Sequence, residues 1–268
     1  MTTARTIAEL RAELIPVRTG RRIGLVPTMG ALHTGHEALV RRARAECDVV
    51  VASIFVNPAQ FGPAEDFERY PRDEQRDAGL AEAWGVDHLF VPSVEEMYPE
   101  GFGTWVEVEG LTDRLEGAAR PGHFRGVATV CLKLFNVVRP DLAYFGQKDA
   151  QQAAVLERMA RDLDLELEIR VIPTVREADG LAISSRNVYL SAEEREAAAA
   201  LPRALAAGAQ AGPGDAAEAA RAVLAEEPRL APDYVEVARL NGRVYLLAAA
   251  RVGRTRLIDN VVLEGDLE

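Results

Sequence analysis

Two of the four histidines, His33 and His36, stand three positions apart in VPTMGALHTGHEALVRRA, the segment 26–43. Apolar residues at its start predict a buried strand, and periodic apolar residues at its end predict a helix. Helix N-termini carry unpaired N–H groups and partial positive charge, which favour anions. Gly35 would let a phosphate approach the backbone, and the imidazoles could donate to oxygens that gain charge at phosphorus. The spacing predicts a phosphate site; the alternative is a strand, turn and helix with two incidental histidines.

Lysine is scarce in this chain: of 31 Lys and Arg residues, only Lys133 and Lys148 are lysines. The ammonium group is compact and flexible whereas the guanidinium group is planar, so the two lysines are candidate positions where an ammonium group matters. Biased codon usage and chance are the alternative, which explains the scarcity of lysine but not the two positions. Lys148 opens a predicted helix and could reach a phosphate, with a plain surface lysine as the alternative. Lys133 lies among apolar residues of another predicted helix and is interpreted as structural or interfacial.

The segment 181–187, LAISSRN, offers a second set of anion-binding groups. The hydroxyls of Ser184 and Ser185 and the guanidinium group of Arg186 can hold a polyphosphate through charge-assisted hydrogen bonds. Taken alone, an ST turn with a surface arginine, leading into a helix capped by Ser191, explains the segment equally well.

Composition limits the classes of function. The 268 residues suit one large domain or two unequal ones. A net charge of −11 and a pI near 5.0 argue against a nucleic-acid-binding surface. No apolar run reaches membrane-spanning length, and the charged N-terminus is unlike a secretory signal. With Cys47 and Cys131 read as buried free thiols, the expectation is a cytoplasmic protein with no nucleic-acid or membrane partner.

Apolar runs alternate with helix-periodic segments through the first two-thirds of the chain. Strands are predicted at 22–26, 49–55, 87–91, 141–145 and 167–172, and helices at 6–15, 35–46, 72–84, 126–138 and 149–163. Strands rich in Val, Ile, Leu and Phe between helices indicate a parallel sheet covered on both faces. The predicted fold class is α/β, with a doubly wound, Rossmann-like nucleotide-binding domain over 1–174 and ligands beyond the carboxyl ends of the strands.

Composition changes near residue 173, and a smaller α+β domain is predicted over 175–268. Its expected elements are an alanine-rich helix at 191–207, a Gly/Pro linker at 208–214, a helix at 215–225 and strands at 234–240, 243–248 and 255–259.

The His-x-Gly-His segment resembles the HIGH motif of the nucleotidyl-transferase superfamily, in which class I aminoacyl-tRNA synthetases add a KMSKS loop. The segment 181–187 stands where that loop would be. Three further motifs narrow the resemblance: FVNPAQFGPAEDFERYPR at 55–72, RPGHFRGVATVCLKLFN at 120–136 and FGQKDAQQ at 145–152. In this order the motifs look like those of the pantoate–β-alanine ligase family, and the resemblance covers the chain from about residue 5 to 260.

The resemblance implies a set of ATP-binding residues. They are Met29, Gly30, Ala31, Leu32, His33, Thr34, Gly35, His36, Gly146, Gln147, Lys148, Asp149, Val175, Ile183, Ser184, Ser185 and Arg186. The residues with implied catalytic roles are His36, the general acid, and His33, Lys148, Ser184, Ser185 and Arg186. Asp149 would contact the ribose and Val175 the adenine.

Gln60 and Gln152 are the implied pantoate contacts, and Asp77 matches a magnesium-linked position only loosely. Taken alone, Gln60 is also explained as an ordinary turn residue. Ile183 and Ala150 depart from the family, in which Met and an aromatic residue are usual, but neither change removes a polar group.

The implied reaction joins (R)-pantoate to β-alanine through a pantoyl adenylate, using ATP with Mg²⁺ and releasing AMP and pyrophosphate. The smaller domain is the expected lid over the adenylate, which hydrolyses readily. A homodimer through the larger domain is also implied, with the apolar helix at 127–138 as its predicted surface. His123 is expected to support the site or a dimer contact.

Three other functions remain open at this point. Another adenylyltransferase of the same superfamily would share the histidine motif. An aminoacyl-tRNA synthetase fragment would need a basic tRNA-binding surface, which a charge of −11 disfavours. A non-catalytic nucleotide sensor would bind ATP without turnover that depends on pantoate.

Overall fold

The computed structural model describes residues 1–63 and 65–267; Ala64, within the motif 55–72, and Glu268, at the end of the predicted second domain, lie outside them. The chain divides into two compact units. The first contains Met1–Phe145 and Gln152–Ile172, and the second contains Gly146–Gln151 and the chain from Pro173 onward. The short segment Gly146–Gln151 therefore groups with the carboxyl-terminal part of the chain.

Six strands form one parallel sheet among the described residues of the larger part of the chain. The strands are β1 (Thr2–Ala4), β2 (Ile23–Thr28), β3 (Val49–Ile54), β4 (His88–Phe90), β5 (Leu142–Gly146) and β6 (Glu168–Ile172). The helices between them are α1 (Ile7–Leu14), α2 (Thr34–Glu46), α3 (Glu74–Trp84), α4 (Val94–Met97), α5 (Glu116–Ala119), α6 (His123–Val138) and α7 (Ala150–Asp162). The strand order is β1-β4-β3-β2-β5-β6, which confirms the doubly wound α/β prediction.

The central strands are buried on both faces, as a parallel sheet covered by helices requires. Leu25 and Val26 of β2 and Val50 and Val51 of β3 are fully buried. The chain moves from β2 toward one edge of the sheet and then returns to the other side of β2 with β5. In doubly wound folds, such a reversal marks the place where ligands bind.

Several elements differ from the sequence prediction, three of them for identifiable local reasons. The edge strand β1 was not predicted, since three residues are too few for a periodic signal. Helix α3 begins at Glu74 rather than at residue 72, because Asp73 caps it by accepting from Arg76 N at 3.1 Å. Helix α6 begins at His123 rather than at residue 126, directly after Gly122, whose φ is +83°.

The prediction that the apolar helix at 127–138 forms a dimer surface is wrong. Val127, Val130, Leu134 and Phe135 are buried within the first unit. The exposed position Asn136 is polar. Apolar side chains that already pack inside their own unit cannot cover a second protomer.

The second unit pairs three helices with an antiparallel sheet in its described residues. Its elements are α8 (Ala192–Ala198), α9 (Ala200–Ala211), α10 (Ala216–Ala225), β7 (Leu230–Leu240), β8 (Arg243–Val252) and β9 (Thr255–Glu264), with strand order β7-β8-β9. Small side chains of the helices pack on Leu246, Ala248 and Leu257 to form its core.

Two predictions in this unit need correction. The single helix at 191–207 is two helices, since Pro202 has no N–H for a bond to Ala198 O and its ring would clash with that carbonyl group. The linker expected at 208–214 begins only after Ala211. Gly208 lies inside α9, at a point where the helix packs closely on its surroundings. A Cβ at Gly208 would lie only 2.6 Å from Ala216 O.

Both cysteines, Cys47 and Cys131, are buried free thiols. None of the helices in residues 1–63 and 65–267 is long and apolar enough to cross a bilayer.

Candidate active site

The chain leaves β2 through a tight turn that begins at Met29. The hydroxyl of Thr28 donates to Ser53 O at 2.7 Å and accepts from Gly30 N at 3.2 Å, which ties the turn to β3. Gly30 and Ala31 both have positive φ angles, +83° and +50°. A residue with a side chain rarely adopts this conformation, so other contacts must hold Ala31 in place.

Asp77 of α3 supplies those contacts. Its Oδ2 accepts from Ala31 N at 2.6 Å, and its Oδ1 accepts from Leu32 N at 2.9 Å. Arg76 donates to Asp77 Oδ1 and to Leu32 O, each at 3.1 Å. Asp77 is only 1% exposed, and charge-assisted hydrogen bonds of this kind are among the strong ones. Asp77 therefore fixes the turn that leads to the two histidines.

His33 and His36 form a reciprocal cap at the start of α2. His33 Nδ1 accepts from Gly35 N, and His36 Nδ1 accepts from His33 N, both at 3.2 Å. Because Nδ1 is the acceptor in each ring, the hydrogen of the neutral imidazole lies on Nε2, where it can donate. The ring centroids are 4.0 Å apart. The caps already bind the N–H groups of His33 and Gly35, so the two ring donors at the positive end of the α2 dipole are the part of this arrangement that suits an anion.

Gly35 has a structural reason beyond the predicted approach of a phosphate. A Cβ at this position would lie 2.9 Å from both Cε1 and Nδ1 of His33. The glycine therefore makes room for the imidazole that caps the helix, and the two residues depend on each other.

Gln60 lies at the end of a short 3-10 turn, Pro58–Gln60, that is capped by Asn57. Asn57 Nδ2 donates to Gln60 Oε1 and to Gly126 O, each at 3.1 Å. Gln60 Nε2 donates to Met29 Sδ at 3.1 Å. A Cβ at Gly126 would come within 2.2 Å of a backbone oxygen of the turn, so α6 and the turn touch backbone to backbone. The amide of Gln60, which is 9% exposed, is therefore held in one orientation.

His123 holds the backbone of Gln60. Its Nδ1 donates to Gln60 O at 2.9 Å, and its Nε2 accepts from Arg120 Nη1 at 3.1 Å. A guanidinium group can only donate, so Nε2 carries no hydrogen and the ring is neutral. Burial, together with the charge of Arg120, lowers the pKa of His123 to about 4. This supports the expectation that His123 serves the site.

Arg120 is itself held by Glu65, through two hydrogen bonds of 2.7 Å. Burial alone would raise the pKa of Glu65, but the hydrogen bonds and charge of Arg120 outweigh it and lower that pKa. Glu65 and Arg120 thus form a charged pair behind the neutral His123.

The 3-10 turn Gln147–Asp149 follows β5 and belongs to the second unit. Lys148 Nζ lies 3.4 Å from both carboxylate oxygens of Asp149. The side chains are 20% and 44% exposed, respectively, so this contact leaves much of Asp149 accessible. Gln147 is buried, and its Oε1 accepts from Thr174 N at 3.4 Å.

The segment with the two serines is a capped turn. Ser184 Oγ accepts from Arg186 N at 3.3 Å, at the start of the 3-10 turn Ser185–Tyr189. Ile183 N donates to Val175 O at 3.0 Å, so the residues predicted to bind adenine and triphosphate are adjacent. The ST turn that was considered as the alternative explanation of this segment is present. In this turn the side chains of Ser184, Ser185 and Arg186 are half-buried.

Asn187 anchors this turn to the rest of the second unit. Its Nδ2 donates to Ala182 O at 3.1 Å and to Glu177 Oε1 at 2.8 Å. Arg195 donates to Glu177 Oε2 at 2.6 Å, and its hydrogen bond lowers the pKa of Glu177.

Asp77 is also the residue predicted near magnesium, yet both its oxygens accept from backbone amides. Residues 1–63 and 65–267 contain no group of three or more His, Cys, Asp or Glu suited to a metal ion. Magnesium that arrives with nucleotide phosphates keeps several waters and needs only one or two carboxylates. Direct ligation of magnesium by Asp77 stays a prediction.

One family model, for pantoate-beta-alanine ligases, matches residues 2–262. The chain belongs to the pantoate–β-alanine ligase family. The pantothenate synthetase of Pelotomaculum thermopropionicum is 55% identical over 98% of this chain and 99% of the relative. That of Chloroflexus aurantiacus is 58% identical over 91% of this chain and 92% of the relative.

Solved structures agree with this membership in the ligase family. The pantothenate synthetase of Thermus thermophilus has a TM-score of 0.94 at 50% identity and covers 99% of this chain and 100% of its own. The pantoate-beta-alanine ligase of Francisella tularensis, solved as a complex with beta-gamma ATP and β-alanine, has a TM-score of 0.85 at 34% identity over both whole chains.

Among the residues predicted from the sequence, the structure brings His33 and His36 together at one helix start, and Gln60 beside Met29. Gln152 is the third residue of α7 and is half-buried; its pantoate contact stays a prediction.

Sequence reasoning missed the residues that support these groups. Asn57 and Arg120 lie inside the family motifs, so their neighbours could have drawn attention to them. The turn-holding role of Asp77 gave no local signal, because the amides that it binds lie more than 40 positions away.

Proposed function

We infer that this chain is an ATP-dependent ligase that joins (R)-pantoate to β-alanine, with pantothenate, AMP and pyrophosphate as products. The match to one ligase family across residues 2–262 carries this inference, and the histidine cap of α2 supplies a fitting phosphate site. The complex of the 34%-identical Francisella ligase supports ATP and β-alanine as ligands.

In the first proposed step, the pantoate carboxylate attacks the α-phosphorus of ATP, forming a new P–O bond and releasing pyrophosphate. A carboxylate is already ionised near neutral pH, so this step requires no general base. It requires in-line placement and stabilisation of charge on the phosphate oxygens. The Nε2–H groups of His33 and His36 and the N-terminus of α2 are suited to that task, with His36 as the proposed general acid.

Further nucleotide contacts are proposed from the second unit. Lys148 would bind the phosphates as a point charge, and Asp149 would accept from a ribose hydroxyl. Ser184, Ser185 and Arg186 would hold the triphosphate through hydroxyl and guanidinium donors. The hydrogen bond between Ile183 and Val175 supports a shared role, because it keeps the implied adenine contact next to the serines.

Gln60 is proposed to bind pantoate through its side-chain amide, with Gln152 as a second contact. The fixed orientation of the Gln60 amide, held by Asn57, supports this role, because a preset donor loses little freedom on binding.

In the second proposed step, the neutral amine of β-alanine attacks the acyl carbon of the adenylate. A C–N bond forms, the bond from carbon to the phosphate oxygen breaks, and AMP leaves. The amine gives up a proton, and water must be excluded while the acyl adenylate exists.

Magnesium, cytoplasmic location and a homodimer are further parts of the proposal. Magnesium bound to the ATP phosphates would reduce their charge toward an incoming carboxylate. Free, buried Cys47 and Cys131 suit a reducing compartment. The dimer is proposed from the family resemblance, through a surface of the larger unit other than the buried face of α6.

Pyrophosphate release tests the function directly. Purified protein is supplied with Mg·ATP and (R)-pantoate, first without and then with β-alanine. We expect about one equivalent of pyrophosphate per site in the first case and steady turnover with pantothenate in the second. Pyrophosphate release that does not depend on pantoate would contradict the proposal.

A further inference from the structure

Two adjacent polar residues, Asp259 and Asn260, lie in the middle of the last strand, β9. Both are only 2% exposed. Successive side chains of a strand point to opposite faces, so Asp259 shares the helix-packed face with Leu257 while Asn260 lies on the other face. Burying a polar side chain is unfavourable unless it is hydrogen-bonded, and both residues have specific partners.

Asn260 binds the segment proposed to contact ATP. Its Nδ2 donates to Gln147 O at 2.8 Å and to Lys148 O at 3.0 Å, and its Oδ1 accepts from Gln147 Nε2 at 3.2 Å. One side chain thus satisfies two consecutive backbone carbonyl groups and one side-chain amide. These contacts fix the backbone from which the ammonium group of Lys148 extends.

Asp259 binds a second such segment through Arg176. Arg176 donates to both carboxylate oxygens, at 2.6 and 3.0 Å, and also to Gly180 O at 3.0 Å. Burial raises the pKa of Asp259, and the hydrogen bonds from Arg176 act in the opposite direction. Planar, bidentate pairs of this kind fix geometry as well as charge.

Arg176 in turn connects the two halves of the loop formed by residues 173–187, which follows β6. It forms an isolated antiparallel bridge with Ala182, and the adjacent Val175 O accepts from Ile183 N at 3.0 Å. The residues proposed to bind adenine and triphosphate are therefore both connected to β9 by way of Arg176.

We propose that Asp259 and Asn260 are positioning residues for ATP: Asn260 fixes Gln147 and Lys148, and Asp259 fixes the 175–186 segment through Arg176. This inference rests on the proposed function, since it assumes that these segments bind the nucleotide. All of its contacts lie within the second unit.

The proposal predicts a selective loss of ATP affinity. Asn260→Ala removes both donors to the 147–148 carbonyl groups, and we expect the KM for ATP to rise about tenfold. The KM for pantoate should stay within about twofold, because Gln60 and the histidine cap of α2 are unchanged. The kcat at saturating ATP should fall by less than the KM for ATP rises, because the Lys148 side chain itself is retained. Arg176→Lys keeps the charge but not the bidentate pair, and we expect a rise of about threefold.

Thr255→Val is the matched control, since it removes a buried polar group from the same strand outside these contacts. It should leave every KM unchanged. If part of the protein were unfolded, the apparent kcat per mole would fall but the KM for ATP would not change. A rise in the KM for ATP therefore indicates a loss of positioning rather than a loss of folded protein. If Asn260→Ala does not fold, Asn260→Ser, which keeps one donor, should show a rise of about threefold.

The outcomes separate this inference from the proposed function. If the unaltered protein shows no pantoate-dependent pyrophosphate release, the proposed function fails. If it is active and folded Asn260→Ala or Asn260→Ser has an unchanged KM for ATP, the role of Asn260 is overturned. An unchanged KM for ATP in Arg176→Lys would overturn the role of Asp259.

Discussion

The turn from Met29 to His36 in the first unit and the segment from Gly146 to Asp149 in the second are both proposed nucleotide contacts, but they are held differently. The first is held partly by its own sequence, through the reciprocal caps of His33 and His36. Asp77 adds two hydrogen bonds from a neighbouring helix. The second makes little local structure beyond one 3-10 turn and depends on Asn260, more than 100 positions away.

The difference indicates what each segment contributes. Residues that must stabilise developing charge need a rigid frame close to the reacting atoms, and a capped helix start supplies one. A segment that mainly binds substrate can be supported from a distance. Changes in the first region should therefore lower kcat, whereas changes behind the second should raise the KM for ATP.

The largest expected effect is the loss of His36. His36→Ala removes a cap and a proposed donor to the α-phosphate, and we expect pantoate-dependent pyrophosphate release to fall by about 10²–10³. His88→Ala is a matched control, since His88 pairs with Glu13 in the same unit and has no proposed role in the reaction. Comparable rates for His36→Ala and the control would contradict the phosphate site.

Asp77→Asn should have the next largest effect. An asparagine side chain accepts only through its one oxygen. Its NH₂ group would therefore face the backbone N–H of either Ala31 or Leu32, so that two donors meet. We expect the free energy of unfolding to fall by about 2 kcal/mol and kcat to fall about tenfold, measured by urea unfolding and steady-state kinetics.

A magnesium titration of Asp77→Asn distinguishes its two suggested roles. If Asp77 holds the turn, added Mg²⁺ will not restore kcat. Recovery of kcat at high Mg²⁺ would instead support direct ligation of the metal by Asp77. It would also weaken the view that the turn from Met29 to His36 differs from the segment Gly146–Asp149 in how it is held.

Gln60→Ala should affect pantoate rather than ATP. Loss of the amide donor is expected to raise the KM for pantoate about tenfold and leave the KM for ATP unchanged, in contrast to Asn260→Ala. Initial rates over a grid of both substrates measure this directly. An equal response to the two substrates would remove the distinction between these sites.

The smallest expected effect at neutral pH comes from His123, whose neutral ring makes the stability depend on pH. Its pKa is about 4 in the folded protein, compared with 6.5 for an ordinary histidine. Below pH 6.5 the unfolded chain binds a proton that the folded chain excludes, so stability falls as the pH is lowered toward 4. By pH 5 this amounts to about 2 kcal/mol in the free energy of unfolding.

His123→Gln isolates that contribution, since glutamine does not titrate. The stability curves of the two proteins should run parallel above pH 7 and converge below pH 6.5. Curves that stay parallel down to pH 5 would show that His123 is not held neutral.

The sequence allowed the prediction of those parts whose signals are local. The alternation of apolar strands and periodic helices predicted the doubly wound sheet and placed His33 and His36 at a helix start. Their capping of that helix was not predicted. The break at Ala199 was not predicted, because the strong helix propensity of the alanine-rich segment masks the helix-breaking effect of Pro202.

The remainder depends on contacts between distant residues. Nothing near Asn260 in the chain indicates that it binds Gln147 O, and nothing near His123 indicates that Arg120 and burial keep it neutral. Partner choice of this kind follows from packing, which a single sequence does not display.

In the proposed reaction, the carboxylate of pantoate is activated as an adenylate before β-alanine reacts. Exchange of labelled pyrophosphate into ATP, measured without β-alanine, reports this first step alone. We expect exchange that requires (R)-pantoate and falls by at least about 10² in His36→Ala. Exchange in the absence of pantoate, or only in the presence of β-alanine, would contradict activation through an adenylate.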